Sequence, residues 1–308
     1  MNLNNIKRIM RRGRILENEP MSKHTTFRVG GPARYYLIPS TEAEAAGIIR
    51  YLHLNGIEHY VIGNGSNLLV SDAGYPGVIV DFGRHDGTYF TQLGIDDSGD
   101  PVRFDAGAGC LLSAVGKYAQ QFGGSGFEGL AGIPGTIGGA CAMNAGAFGA
   151  EMKDVLVSID VLTSAGEHKK LRADEVRFGY RSTSLMEDGY IILRAELALK
   201  KDDPAAIRQR MDEFLAQRKE KQPLEYPSAG STFKRPEGHY AGKLIEEAGL
   251  RGFSIGGAAV SEKHCGFLIN KENASAADIY QLIQAVQDKV EQKTGVRLEP
   301  EVRMLGKF

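Results

Sequence analysis

An α+β chain of two or three domains is predicted by three features of the sequence. Its 308 residues are enough for several cores. Segments with helical spacing of apolar residues alternate with short β-type runs, and no internal repeat is evident. Among them lies GGSGFEGLAGIPGTIGGACAMNAGAFG, residues 123–149, in which ten of 27 residues are glycine and neither period holds. So much glycine costs conformational entropy unless the backbone must approach something closely. Positive φ angles also let successive N–H groups face an anion or a flat ring. Phe127, Leu130, Ile133, Pro134, Ile137 and Met143 are interleaved, which argues against a polar Gly/Ser linker. An irregular buried loop is the plain reading of this stretch, and a cofactor cradle is the sharper one.

The basic N-terminus predicts a helix with Ile6, Ile9 and Met10 on one face. Thr41-Glu42-Ala43-Glu44 reads as a capping box; Ala45, Ile48, Ile49 and Leu52 follow at helical spacing, and Gly56 ends the helix. Strands are predicted at 59–63, 67–70, 78–82 and 102–106, and a helix near 111–122 leads into the glycine-rich stretch. From residue 155 the pattern is β: VLVSIDVLT, a turn at 164–167, HKKL, and a long strand over 190–200. Asp203-Pro204 starts a helix with Ile207, Met211, Phe214 and Leu215 inward, ending before Pro223. Residues 222–241 lack periodicity and form a boundary. Beyond it come a short helix over 243–248, strands in GGAAV and FLIN, and a helix over 275–293. Ser275 and Asp278 can cap that helix, Ile279, Leu282, Ile283, Val286 and Val290 form its stripe, and Gly295 ends it. VRLEPEVRML closes the chain as a strand.

A net charge of −1 gives no reason to expect nucleic acid or an anionic membrane as a partner. No run of 18 apolar residues is present, and the N-terminus lacks the apolar core of a signal peptide. Cys110, Cys141 and Cys265 are odd in number and widely spaced, which fits neither a disulfide framework nor a zinc site, so a cytoplasmic setting is expected. Cys141 is read as packing. His239 and His264 are expected to be solvated or structural.

A second glycine signal, Gly63-Asn64-Gly65-Ser66-Asn67, sits between two β-type runs. It resembles a phosphate-binding turn, but it lacks the third glycine and following helix of the dinucleotide fingerprint and the Gly-Lys-Ser/Thr of a P-loop. A hairpin turn fits it equally well.

Six motifs then occur in order: GNGSN, GLAGIPGTIGGA with MNAGAFG, GYR at 179–181, GSTFKRP at 230–236, IGGAAV at 255–260 and LEPEVR at 298–303. From about residue 24 onward this resembles the UDP-N-acetylenolpyruvoylglucosamine reductase (MurB) family, flavoproteins of cell-wall precursor synthesis. The resemblance implies a two-subdomain FAD-binding fold of the vanillyl-alcohol-oxidase (PCMH) type plus a small C-terminal α+β substrate domain. The implied segments are 1–90 with the closing strand 296–308, then 91–215, then 216–295 for substrate. It implies noncovalent FAD, since GNGSN has no histidine for a covalent link, with Cys141 the residue to check. It implies NADPH as co-substrate: NADPH reduces the flavin, which reduces the enolpyruvyl double bond to a D-lactyl ether. The partners implied are small molecules only.

Hydride addition to the terminal carbon leaves negative charge on the adjacent carbon, delocalised into the carboxylate. That charge needs stabilisation and then a proton from one face. The resemblance implies that Arg181 grips the carboxylate and stabilises the enolate, since a guanidinium is always charged and binds bidentately. Read alone, Arg181 is a surface ion-pair residue. Ser231 matches the proton donor; read alone it is a turn or cap residue. Glu301 matches the catalytic glutamate and is expected to carry or share a proton in the reactive complex, because two adjacent carboxylates repel. Its plain reading is a strand-surface partner of Arg303 or Arg297. Tyr180, Lys221 and Arg235 match substrate-binding positions, and Arg218 is an implied FAD contact. The N–H groups of Asn64 to Asn67 are expected to cradle the pyrophosphate. Gly129, Ile133, Pro134, Gly135, Thr136, Gly138, Gly139, Asn144, Ala145 and Gly146 are expected to wrap the rest of the cofactor.

Only eight residues separate Arg181 from Tyr190, so the chain is similar to the shorter class of the family. The longer class carries there a tyrosine that folds over the substrate diphosphate. Lys234, Arg235 and His239 are open alternatives for its replacement. Two rival functions are a flavin alcohol or sugar-lactone oxidase of the same fold and a non-enzymatic nucleotide-binding protein. Arg181, Ser231 and Glu301 in their motifs argue against both.

Overall fold

The computed structural model describes residues 2–83 and 88–308. Two compact units emerge: residues 1–17, 35–64 and 77–216 form the first, and 18–34, 65–76 and 217–308 the second. The second therefore gathers the expected substrate segment together with the closing strand and two short pieces from the first ninety residues.

A four-stranded sheet has the order Arg14–Pro20, Pro32–Ile38, Tyr75–Asp81, His59–Ile62, and its last two strands run parallel. A larger antiparallel sheet runs His168–Arg172, Leu156–Leu162, Ile191–Lys201, Val102–Gly107, Leu93–Asp96. Strands 14–20, 32–38 and 93–96 lie outside the expected set: RILENEP and LGID are short of apolar residues, and PARYYLI ends in a continuous run, Tyr35 to Ile38, that does not alternate. Helix Glu42–Leu54 buries Ala45, Ile48, Ile49 and Leu52 as expected. Only half of its capping box forms. Thr41 Oγ1 accepts from the Glu44 N–H, but the Glu44 carboxylate accepts instead from the Ser40, Arg12 and Gly13 N–H groups. Helix Pro204–Lys221 buries Ile207, whereas Leu215 is 43% exposed, contrary to the inward face expected for it.

The second unit has a four-stranded antiparallel sheet in the order Ser228–Ser231, Phe267–Asn270, Ala258–Val260, Ser254–Ile255. Helix Ala276–Thr294 packs on it through Ile279, Leu282, Ile283, Val286 and Val290, all fully buried. Each such side chain contributes roughly 1.5–3 kcal/mol, an upper figure because the unfolded chain is itself partly collapsed. The closing segment is a strand only over Arg303–Leu305, parallel to Leu68–Val70. Pro300 has no N–H to donate to a ladder, and only an isolated bridge to Phe233 forms there.

The Ala276–Thr294 helix has two caps. Ser275 and Asp278 make the expected box, and the Asp72 carboxylate accepts from the Ala276 and Ala277 N–H groups at 2.9 and 2.8 Å. A carboxylate on open N–H groups at a helix start gains both hydrogen bonds and the helix dipole. Asp72→Ala is expected to lower stability by about 1–2 kcal/mol. An unchanged denaturant midpoint would show the second cap to be dispensable.

Candidate active site

Gly63 leaves strand His59–Ile62 with no room for a side chain, since an added Cβ would overlap the Thr136 side chain. Gly65 is more constrained: its φ is +61°, and a Cβ there would overlap the His24 carbonyl. The Gly65 carbonyl accepts the Thr26 N–H at 3.2 Å. Asn64 Nδ2 donates to the Pro134 carbonyl at 2.5 Å, joining the short glycine turn to the long glycine-rich stretch. Asn67 Nδ2 donates to the Glu301 carbonyl at 3.1 Å, and the Arg303 N–H donates to the Asn67 carbonyl at 3.0 Å. Among the described residues, the N–H groups of Asn64, Gly65 and Ser66 have no protein acceptor. Asn64 Oδ1 and Thr26 Oγ1 are buried atoms without a partner. Three consecutive open N–H groups, with a buried hydroxyl and a buried amide oxygen on this turn and its neighbour, suit a diphosphate and the polar groups of a flavin nucleotide. Gly65→Ala is expected to cost more than about 1 kcal/mol, because the backbone is left-handed and the added methyl meets a carbonyl. The purified variant should show little flavin absorbance. Full flavin content would remove this turn from the cradle.

The long stretch is ordered by its own backbone. Gly135 accepts from Leu112 N–H, Ile137 N–H donates to Cys110, and Gly138 N–H donates to Ala108. An added Cβ at Gly138 would lie 2.9 Å from that of Ala108, and one at Gly129 2.6 Å from the Ala147 carbonyl. Residues Ile137–Ala142 form a short helix inside a segment with no helical period, held between buried Thr136 and buried Ala145. Ile133 is half-buried, and Gly139 is exposed. Burial pushes the Cys141 thiol up to about 12, so it supplies no thiolate for a flavin link. Its packing role stands.

Arg181 and Tyr180 are the two tip residues of a hairpin in which Phe178–Gly179 pairs with Ser182–Thr183. Arg181 has φ 55°, a left-handed conformation uncommon for a residue with a side chain. Its guanidinium lies 5.4 Å from the Tyr180 ring centroid and donates to the Gly146 carbonyl at 3.3 Å. Thr183 Oγ1 donates to the Ala142 carbonyl, and Asn144 Nδ2 donates to the Gly179 carbonyl at 3.3 Å. The turn thus rests on the end of the glycine-rich stretch. Asn144, expected among the residues that wrap the cofactor, has a side chain that is 3% exposed and occupied by protein partners, which leaves its backbone for any cofactor contact.

In the second unit Ser231 ends strand Ser228–Ser231 and is exposed. Beside it, fully buried Thr232 is fixed on every side. Its N–H donates to Gly266, its hydroxyl accepts from Leu268, and its carbonyl accepts the Glu301 N–H at 2.8 Å. Ser231 and Glu301, 70 positions apart, are therefore neighbours through one backbone bond, with Asn67 bonded to the Glu301 carbonyl. Lys234 forms an ion pair with Glu299 and its N–H bonds the Glu299 carbonyl, so the 232–235 and 299–301 segments run together. Arg235 stacks on the exposed Tyr240 ring at 4.0 Å. Arg218 is buried, and burial lowers its pKa; a guanidinium out of water favours an anion brought to it. Lys221 is exposed at the end of the same helix. Burial lowers the His264 pKa, and its Nδ1 accepts the Gly266 N–H, a structural role. Sequence reading missed Thr26 and Thr232. Both matter through long-range contacts, Thr26 with Gly65 and Thr232 with Gly266, Leu268 and Glu301, which leave no periodic signal.

The profile for the C-terminal domain of UDP-N-acetylenolpyruvoylglucosamine reductase matches residues 222–305, and that of an FAD binding domain matches residues 33–172. A UDP-N-acetylenolpyruvoylglucosamine reductase of Agathobacter rectalis is 49% identical, spanning 96% of this chain and 95% of the relative. One of Lachnoclostridium phytofermentans is 47% identical over 99% and 97%. The crystal structure of the reductase (MurB) from Thermus caldophilus superposes with a TM-score of 0.79 at 36% identity, covering 96% of this chain and 99% of that one. Ordered motifs, fold and near-full-length identity agree, and the chain belongs to the UDP-N-acetylenolpyruvoylglucosamine reductase family.

Proposed function

We propose that the protein is a flavoenzyme that uses NADPH to reduce the enolpyruvyl group of UDP-N-acetylglucosamine enolpyruvate, giving UDP-N-acetylmuramate for peptidoglycan. The observation that carries this reading is the bond from the Glu301 N–H to the Thr232 carbonyl at 2.8 Å, which brings the segment that carries the Ser231 hydroxyl beside the one that carries the Glu301 carboxylate. An alcohol oxidase has no use for that pair, because it takes a hydride from carbon and a proton from oxygen and has no carbon to protonate. When bound and reduced by NADPH, the flavin would supply the hydride to the terminal enolpyruvyl carbon. The open N–H groups of residues 64–66 are suited to its diphosphate, and Gly129 to Gly146, with Arg218, to the remainder.

The chain's own groups do the rest. Arg181 neutralises the substrate carboxylate and the charge that develops beside it. Ser231 Oγ gives its proton to the adjacent carbon; a strong carbanionic base makes a hydroxyl a sufficient acid. Glu301 carries a proton in the reactive complex and donates it in a hydrogen bond to the enolate, which removes carboxylate–carboxylate repulsion. Tyr180, Lys221 and Arg235 bind the sugar nucleotide. Three free, buried cysteines support a reducing, cytoplasmic setting.

Glu301→Gln keeps an N–H donor but cannot titrate. Its pH–rate profile is expected to lose one ionisation present in the parent enzyme, and identical profiles would exclude a titrating Glu301. The activity itself is tested by incubation with NADPH and the enolpyruvyl substrate without oxygen. One product two hydrogens heavier should form per NADPH consumed. NADPH loss only in step with oxygen uptake would reject the substrate assignment.

A further inference from the structure

Arg181 holds an unfavoured backbone conformation at the tip of a two-residue turn. A hairpin of two residue pairs is too short to enforce this by itself. The restraint comes from outside, from Asn144. That residue is itself left-handed, with φ 44°, and almost fully buried. Both polar ends of its amide are used: Nδ2 donates to Glu151 Oε2 at 2.9 Å and to the Gly179 carbonyl at 3.3 Å, while Oδ1 accepts the Lys153 N–H at 3.1 Å. Glu151 in turn pairs across a short ladder with Gly146, whose carbonyl accepts from the Arg181 guanidinium. Asn144 thus reaches the start of the arginine turn through the Gly179 carbonyl, and Glu151 reaches the Arg181 guanidinium through its strand partner Gly146. Hydrogen bonds from Lys153 and Asn144, with the nearby Arg181 charge, keep the Glu151 carboxyl below its ordinary range, so it remains an acceptor at neutral pH.

We propose that the Asn144–Glu151 pair is the positioning element for Arg181, fixing where its guanidinium meets the substrate carboxylate. This rests on the reading of Arg181 given above. Neither residue touches the reacting atoms; both act through the turn. A misplaced guanidinium weakens its grip on the carboxylate in the ground state and in the transition state. The step in which flavin accepts hydride from NADPH does not involve that carboxylate. The two half-reactions therefore separate positioning from general stability.

Flavin-loaded Glu151→Ala, Glu151→Gln and Asn144→Gly are compared with the parent enzyme. Glycine keeps the left-handed backbone and removes only the amide. Bound flavin is measured by absorbance, and its reduction by NADPH and reoxidation by the enolpyruvyl substrate are followed separately. Glu151→Ala should retain flavin and the NADPH step and lose roughly 10–100-fold in kcat/KM for the enolpyruvyl substrate, and Asn144→Gly, at a position whose backbone is also assigned to the cofactor, should lose at least as much in that second step. Glu151→Gln keeps an acceptor for the Asn144 amide and should recover most of that loss. In an Arg181→Lys background, Glu151→Ala should add little, because both changes act on one element. Flavin loss in all three variants, equal slowing of both half-reactions, or effects that multiply with Arg181→Lys would overturn the proposal. An Arg181→Lys enzyme with an unaltered enolpyruvyl step would instead sink the underlying reading, and the proposal with it.

Discussion

Ser231→Ala is expected to leave flavin reduction by NADPH intact and to slow reduction of the enolpyruvyl substrate by roughly 10²–10⁴-fold, the range for loss of a positioned acid. The substitution is clean because the surrounding backbone does not depend on the hydroxyl. Ser231 pairs with Phe267, and Thr232, fixed through Gly266, Leu268 and Glu301, holds the strand end in place. The serine side chain faces outward, so its removal opens no core cavity. Stopped-flow absorbance of each half-reaction decides the matter. Equal rates in both steps for parent and variant would leave the proton donor unidentified and remove Ser231 from the mechanism.

Arg181→Lys should lower kcat/KM for the enolpyruvyl substrate by roughly 10²–10³-fold, the cost of losing an oriented charge stabiliser. Lysine keeps the charge but not the planar fork, and its strongly hydrated ammonium cannot grip both carboxylate oxygens. The loss should appear in kcat as well as KM, because the negative charge beside the carboxylate grows only as hydride arrives. A change in KM alone would make Arg181 a binding residue without a catalytic role. The left-handed backbone supports the catalytic reading: of the order of 1–2 kcal/mol is spent to keep a non-glycine residue there.

Much of the architecture was legible where one face of an element is buried. The helix of Ile279, Leu282, Ile283, Val286 and Val290 carries an unbroken apolar stripe between a capping box and Gly295, and the structure ends it within a residue of the expected place. The long strand near 190–200 and the β run from 155 were equally clear, because both lie in the interior of one sheet. Elements stabilised from elsewhere were not legible. Helix Ile137–Ala142 contains two glycines, each costing about 1 kcal/mol in a helix, and exists because residues 108–112 bond its entry. Glu44 was assigned to its own helix cap, but its carboxylate is drawn to Ser40, Arg12 and Gly13, a contact no local pattern encodes.

The site divides in the same way. Its residue types and order were readable from six motifs, since the chemistry demands a cation, an acid and a carboxylate. How they are held was not. Asn144 stands in a glycine-rich motif that suggests a cofactor contact, yet its side chain bonds Glu151, Lys153 and Gly179. The segments of Ser231 and Glu301 are joined by a backbone bond from the Glu301 N–H to the carbonyl of Thr232, a residue whose neighbours in sequence give no sign of it.

The visible spectrum of the purified protein without oxygen tests the central claim most directly. A flavin band should be present, should bleach when NADPH is added, and should return when UDP-N-acetylglucosamine enolpyruvate follows. A band that returns only on admission of oxygen would contradict the substrate assignment. A protein that neither contains nor takes up flavin would contradict the cofactor reading of both glycine-rich segments.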